Sequence, residues 1–188
     1  IVTEVRATAA LKGILEGHEV MTMDNAASVG DIFVTATGVK DVIRKQHFEK
    51  MKDGAIICNT GHYDAEINIP ELEEVSTGKR TIRPNCEEYT LKNGNRVYLL
   101  AQGRLINLAA AEGHPSEVMD MSFANQFMAH LSLVTRYKSG EKMPIEVMEI
   151  PVDQDEFIAK TKLEMMGLGI DSLTEEQLIY INDYNAGT

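Results

Sequence analysis

Asp31-Ile32-Phe33-Val34-Thr35-Ala36-Thr37-Gly38 and Ala55-Ile56-Ile57-Cys58-Asn59-Thr60-Gly61-His62 decide the fold. Each is a short apolar run, rich in β-branched residues, that ends in small polar residues and a glycine, the pattern of a buried strand running into a turn. Between them, Asp41 to Met51 places Val42, Ile43, Phe48 and Met51 near one face of a predicted helix, and Asp53-Gly54 stops it. Strand, helix and strand at this pace make a β-α-β unit. The expected architecture is α/β, a Rossmann-like parallel sheet with helices on both faces.

Towards the amino end, Ile1-Val2-Thr3-Glu4-Val5 and Glu19-Val20-Met21-Thr22-Met23 read as two further strands around a helix from Thr8 to Glu16, with Asp24 capping a short helical turn through Ala27. Towards the carboxyl end the rhythm breaks. Lys92-Asn93-Gly94-Asn95 followed by Arg96-Val97-Tyr98-Leu99-Leu100 is a β-hairpin pattern, and Leu105 to Glu112 reads as a helix. Beyond it come an apolar helix from Ser122 to Tyr137, a polar break at Lys138 to Pro144, and an acidic tail. That tail is helical from Asp155 to Met166 and again from Thr174 to Tyr184, the second helix headed by Ser172-Leu173-Thr174-Glu175-Glu176.

Composition narrows the function classes. A net charge of -11 over 188 residues disfavours a nucleic-acid partner, which needs surplus Lys and Arg on one face. Cys58 and Cys86 have no partner spacing for zinc or a disulfide framework, so no metal is expected and a reducing compartment is. No apolar run approaches the ~18 residues of a membrane span, so no membrane partner and a cytoplasmic location are expected. The chain opens on Ile1, not Met, in a strand pattern, which suggests a start inside a longer protein; a processed chain is the other reading.

Several residues carry possible chemistry. Ligands of a parallel sheet sit past the carboxyl ends of its strands, and an acid at such an end can accept both ribose hydroxyls of NAD, the place Glu4 occupies. A solvated strand-end acid is the plain alternative. Thr37-Gly38 and Thr60-Gly61-His62 are strand ends at which backbone amides can meet a ligand, or ordinary turns. His114, in Gly113-His114-Pro115-Ser116, is a titratable or a structural histidine at a helix end. His18, His47 and His130 read as surface or packing residues, and Met119, Met121 and Met128 as core fillers. No Gly-x-Gly-x-x-Gly phosphate loop occurs, so either it lies upstream of Ile1 or the fold is a different one; the first is the expectation, a sheet lacking its first β-α unit.

Six motifs then come in one order: Val2-Thr3-Glu4-Val5, Phe33 to Gly38, His47-Phe48-Glu49-Lys50-Met51-Lys52-Asp53, Asn59-Thr60-Gly61-His62-Tyr63-Asp64, Gly103-Arg104-Leu105-Ile106-Asn107-Leu108 and Gly113-His114-Pro115-Ser116. Together they resemble S-adenosylhomocysteine hydrolase from Ile1 to about Leu133. The resemblance implies reversible hydrolysis of S-adenosylhomocysteine to adenosine and homocysteine in the methionine cycle. A tightly held NAD oxidises the 3′-hydroxyl of the substrate ribose, homocysteine leaves, water adds, and the hydride returns. It implies that Glu4 holds the NAD ribose; that Thr37, Gly38, Thr60, Gly61, His62, Asn107 and His114 bind the cofactor; and that His62, His114 and Met119 border the substrate.

It also implies a partial NAD-binding Rossmann domain over residues 1–115, a helix returning toward a substrate domain over 116–146, and a helical extension over 147–188. The acid/base residues would belong to a missing amino-terminal half, leaving no catalytic group assigned within this chain, which alone should be inactive. A homotetramer is the family habit. Departures from the family pattern are Arg6-Ala7 after the ribose acid, Ala9 at a usual polar contact, Glu112 where some members carry Met, and a tail in which the role of Tyr184 is open. A non-catalytic oligomerisation module is the rival reading, and another NAD-dependent dehydrogenase ranks last.

Overall fold

Residues 1–183 are described in the computed structural model of the chain, which divides into two compact units, Ile1–Gly113 and His114 onward. In the first unit the two amino-terminal strands shrink to one parallel bridge, Val2 with Val20, held by Val2 N–H to Glu19 O (2.8 Å) and Met21 N–H to Val2 O (3.2 Å). Local side chains end both strands early. Glu4 Oε1 accepts the amides of Val5 and Arg6 and turns the chain into α1 (Ala7–Leu15), while Thr22, not Asp24, caps α2 (Met23–Val29) by accepting from Asn25 N–H.

The deciding stretches form β1 (Ile32–Thr35) and β2 (Ala55–Asn59), paired in parallel with Val34 opposite Cys58. The helix between them, α3 (Lys45–Phe48), is shorter than its apolar spacing suggests. Ile43 is drawn into a parallel bridge with Ile67, and His47 Nδ1 accepts Arg44 N–H, which fixes the helix start at Arg44. Next comes α4 (Ile69–Glu74), capped by Asn68 and helped by Pro70 in its first turn.

Three more strands follow: β3 (Ser76–Arg83), β4 (Cys86–Leu91) and β5 (Arg96–Leu100). The predicted hairpin joins β4 to β5, with Gly94 at φ +91° and Asn95 N–H donating to Asn93 Oδ1. The sheet order is β1-β2-β5-β4-β3: β1, β2 and β5 are parallel, and β4 and β3 extend the sheet antiparallel. Ile43, Phe48, Ile57, Leu72 and Leu99 anchor the core at 1% exposure or less, each worth about 1.5–3 kcal/mol of burial. At the rim, Arg96 grips Asp53 through Nε and Nη2 and holds its carboxyl down at about 2. A short helix, α5 (Ile106–Ala109), closes this unit.

The second unit is helical. It holds α6 (Ser116–Lys138), which starts earlier than the predicted Ser122, then α7 (Val152–Met165) and α8 (Glu175–Asn182). Ile158 of α7 is buried, Lys162 pairs with Asp120 at 2.6 Å, and Asn125 donates to Asp155. Thr174, within the stretch expected to head this helix, caps α8 and forms a capping box with Gln177. Tyr184 lies outside the described residues. No described helix is long and apolar enough to cross a membrane.

Candidate functional site

Because β1, β2 and β5 run parallel, their carboxyl ends emerge at one edge, where α/β sheets bind ligands. Asn59 ties the three ends together. It is wholly buried; its Oδ1 accepts from Thr35 Oγ1 (3.0 Å) and Gly61 N–H (2.7 Å), and its Nδ2 donates to Tyr63 O (2.8 Å) and Gly103 O (2.9 Å). Thr60 N–H adds a bond to Thr35 O, and Asn59 bridges in parallel to Leu105. The return from β5 passes through Ala101, Gln102 and Gly103, all at positive φ, an arrangement that two non-glycine residues adopt at a cost of about 1–3 kcal/mol each.

The end of β1 is fastened to the end of β2 by Glu66. Its buried carboxylate accepts from Thr37 N–H (2.9 Å), Thr37 Oγ1 (2.8 Å) and Gly38 N–H (2.7 Å). The amide donors that the sequence suggests for a ligand are therefore engaged inside the protein. Gly61 is required by the same contact, since a Cβ there would overlap Glu66 Oε1 and sit 2.9 Å from Asn59 Oδ1.

Sequence reasoning missed both Glu66 and the tying role of Asn59. Glu66 alternates with Asn68 against Ile67 and Ile69, which reads as a polar face open to solvent.

The singled-out residues fall as follows. Glu4 is exposed, and its carboxyl is held below the usual carboxylate range by the amides of Arg6 and Val5; those bonds run to Oε1. Glu4 and Thr37 border one cavity of about 650 Å³, between Ile1–Glu4 on one side and β1 on the other. His62 is exposed, stacks edge-on against Tyr63 with ring centroids 4.5 Å apart, and shares a shallow depression with Arg104 and Leu105. Asn107, two residues past Leu105, has a buried Oδ1 with no hydrogen-bond partner among the described residues.

Thr37, Gly38, Thr60, Gly61, His62 and Asn107 are thus brought to the three strand ends, while His114 and Met119 belong to the second unit, His114 exposed and Met119 partly buried at the start of α6. His47, expected as a surface or packing residue, is buried with its imidazole in the α3 cap. No group of His, Cys, Asp and Glu able to hold a metal occurs among the described residues.

Comparison with known proteins gives this edge a context. The family model described as S-adenosyl-L-homocysteine hydrolase, NAD binding domain, matches residues 1–113. The chain is 51% identical to the adenosylhomocysteinase of Sulfurisphaera tokodaii and 52% identical to that of Aquifex aeolicus, in both cases over its whole length. It is 53% identical to that of Aeropyrum pernix over 98% of its length. It spans 45%, 44% and 44% of those relatives, less than half of each. The chain belongs to the S-adenosyl-L-homocysteine hydrolase family and carries that family's NAD-binding domain.

Proposed function

We propose that this chain is the cofactor side of an adenosylhomocysteinase, which hydrolyses S-adenosylhomocysteine reversibly to adenosine and homocysteine when the rest of the protein is present. Bound NAD supplies a reversible hydride acceptor, and the protein supplies binding, orientation and exclusion of water. Glu4 accepts hydrogen bonds from the cofactor's ribose diol. Thr37 and Gly38 shape the wall at the end of β1, Thr60, Gly61 and His62 shape the one at the end of β2, and Asn107 receives the nicotinamide end. His62 lies near the reacting centre, His114 binds the cofactor, and Met119 borders the substrate.

One observation carries the reading: Asn59 gathers three parallel strand ends at one edge, the place where parallel α/β sheets bind ligands.

The groove between Ile1–Glu4 and β1 exposes Ile32 and Val34 along an unpaired strand edge. In this reading a further parallel strand, carrying the glycine-rich phosphate loop, fills it from the amino-terminal half. Residues 116–146 return toward the substrate domain of that half, 147–188 extend beyond it, and the full-length protein acts as a cytoplasmic homotetramer in the methionine cycle.

Glu4→Ala in the full-length protein should raise the Kd for NAD about tenfold or more, the value of one lost charged hydrogen bond. Titration of cofactor-stripped protein with NAD measures it. An unaltered Kd would remove the ribose role of Glu4.

A further inference from the structure

Glu66 is a buried carboxylate to which the proposed chemistry gives no task. It is 2% exposed, and it is held by the neutral donors of a single turn: Thr37 N–H reaches both oxygens (3.1 and 2.9 Å), Thr37 Oγ1 reaches Oε2, and Gly38 N–H reaches Oε1. Its main chain is pinned as well, its carbonyl accepting Val42 N–H (2.8 Å) and Ile43 N–H (3.0 Å). On its other side the carboxylate packs so closely on Gly61 that no side chain fits there. Burying a carboxylate is expensive unless donors surround it, and a site that pays this cost gains a rigid link between the groups it joins.

We propose that Glu66 is a positioning residue for the dinucleotide: it fastens the Thr37–Gly38 turn at the end of β1 to Gly61 at the end of β2, so that both walls of the cofactor site keep one spacing before NAD arrives. This rests on the cofactor reading above. Since Glu66 takes the Thr37 and Gly38 amides, this turn meets the dinucleotide as a shaped wall. It does not act as an anion-binding nest, because an entering phosphate would have to displace the carboxylate. The chemistry asks for two acceptor oxygens. Glu66→Gln turns an amide donor toward the donors of Thr37 or Gly38, and Glu66→Ala removes both acceptors.

The test uses full-length protein stripped of NAD and titrated with it, alongside the melting temperature of the stripped form and steady-state kinetics at saturating NAD. Glu66→Gln should raise the NAD Kd about tenfold and Glu66→Ala further, with the KM for S-adenosylhomocysteine unchanged. A lower melting temperature with an unaltered NAD Kd would make Glu66 merely structural and overturn the proposal.

Should Glu66→Gln fail to fold, hydrogen exchange of the stripped wild-type protein decides. Protected amides at Thr37 and Gly38 support the clamp, and exchange at the rate of an open loop overturns it. Glu4→Ala, run in parallel, separates the two readings. A raised Kd for that variant beside an unaltered one for Glu66→Gln removes the clamp alone. Wild-type protein that binds no NAD removes the cofactor reading and the clamp with it.

Discussion

The sheet unit and the helical unit satisfy their apolar residues in opposite ways. In the first, Ile57, Val97 and Leu99 are wholly buried between paired strands, and α3 and α4 pack Phe48 and Leu72 against the same core. In the second, α6 and α7 enclose Ile158, yet Phe123 and Phe127 of α6 stand 58% and 66% exposed. A fold whose strands alternate through one core closes on itself, whereas a long helix with apolar residues around most of its circumference has more surface to cover than one neighbouring helix provides. The strand-end residues proposed to hold NAD sit on the self-contained unit, where strand pairing and the Asn59 and Glu66 networks fix their geometry.

The largest expected effect comes from breaking the closed core. Leu99, in the second half of β5, is wholly buried and lies opposite Ile57 on one side and Glu87 on the other. Leu99→Ala should cost about 3 kcal/mol, the transfer free energy of the lost side chain plus the cavity it leaves. Urea unfolding of the full-length protein, followed by a probe in the sheet unit, measures it. A loss well under 1 kcal/mol would mean that the core yields freely, and that the strand ends are not rigidly held.

A smaller effect comes from His47. Burial pushes its imidazole below the ordinary value of 6.5; Asp24 and Glu71 oppose that shift, and Arg44 and Lys50 add to it. The neutral form is the one that accepts Arg44 N–H through Nδ1. With the folded value depressed, the unfolded chain takes up the proton more readily. The contribution of His47 is therefore full above 6.5 and is lost as pH falls below it, through the lowered folded value. His47→Asn, whose Oδ1 can accept the same amide, should flatten the fall of the unfolding midpoint between about pH 7.5 and about pH 5.5. Parallel pH curves for wild type and variant would contradict this account.

What could be read ahead followed from how local each signal is. β1, β2 and β5 with its hairpin turn were legible because glycine punctuation and apolar runs lie within a few residues of each other. The NAD-binding family was legible because six motifs come in one order. The strands expected at Ile1–Val5 and Glu19–Met23 were overextended: apolar composition does not show that Glu4 and Thr22 bond to neighbouring amides and turn the chain away. β3 was missed because Ser76–Arg83 is almost entirely exposed and polar, and it is a strand through its pairing to β4, with two register shifts. Glu66 was missed for a related reason, since the donors that make its burial tolerable arrive from a turn 28 and 29 positions earlier in the chain.

The smallest expected effect tests the other half of the comparison. Phe127 is more than half exposed on α6, so within this chain its ring has little to lose, and Phe127→Ala should move the stability of the helical unit by no more than about 0.5 kcal/mol. Phenylalanine and alanine both continue a helix, which keeps backbone effects to a few tenths of a kcal/mol. Urea unfolding of the full-length protein at two concentrations differing about a hundredfold makes the measurement informative. An intramolecular contribution is independent of concentration, whereas a ring covered by another copy loses stability that depends on it. A loss of about 3 kcal/mol that shrinks on dilution would show that α6 is closed by association, and that the helical unit completes between chains the core that the sheet unit completes alone.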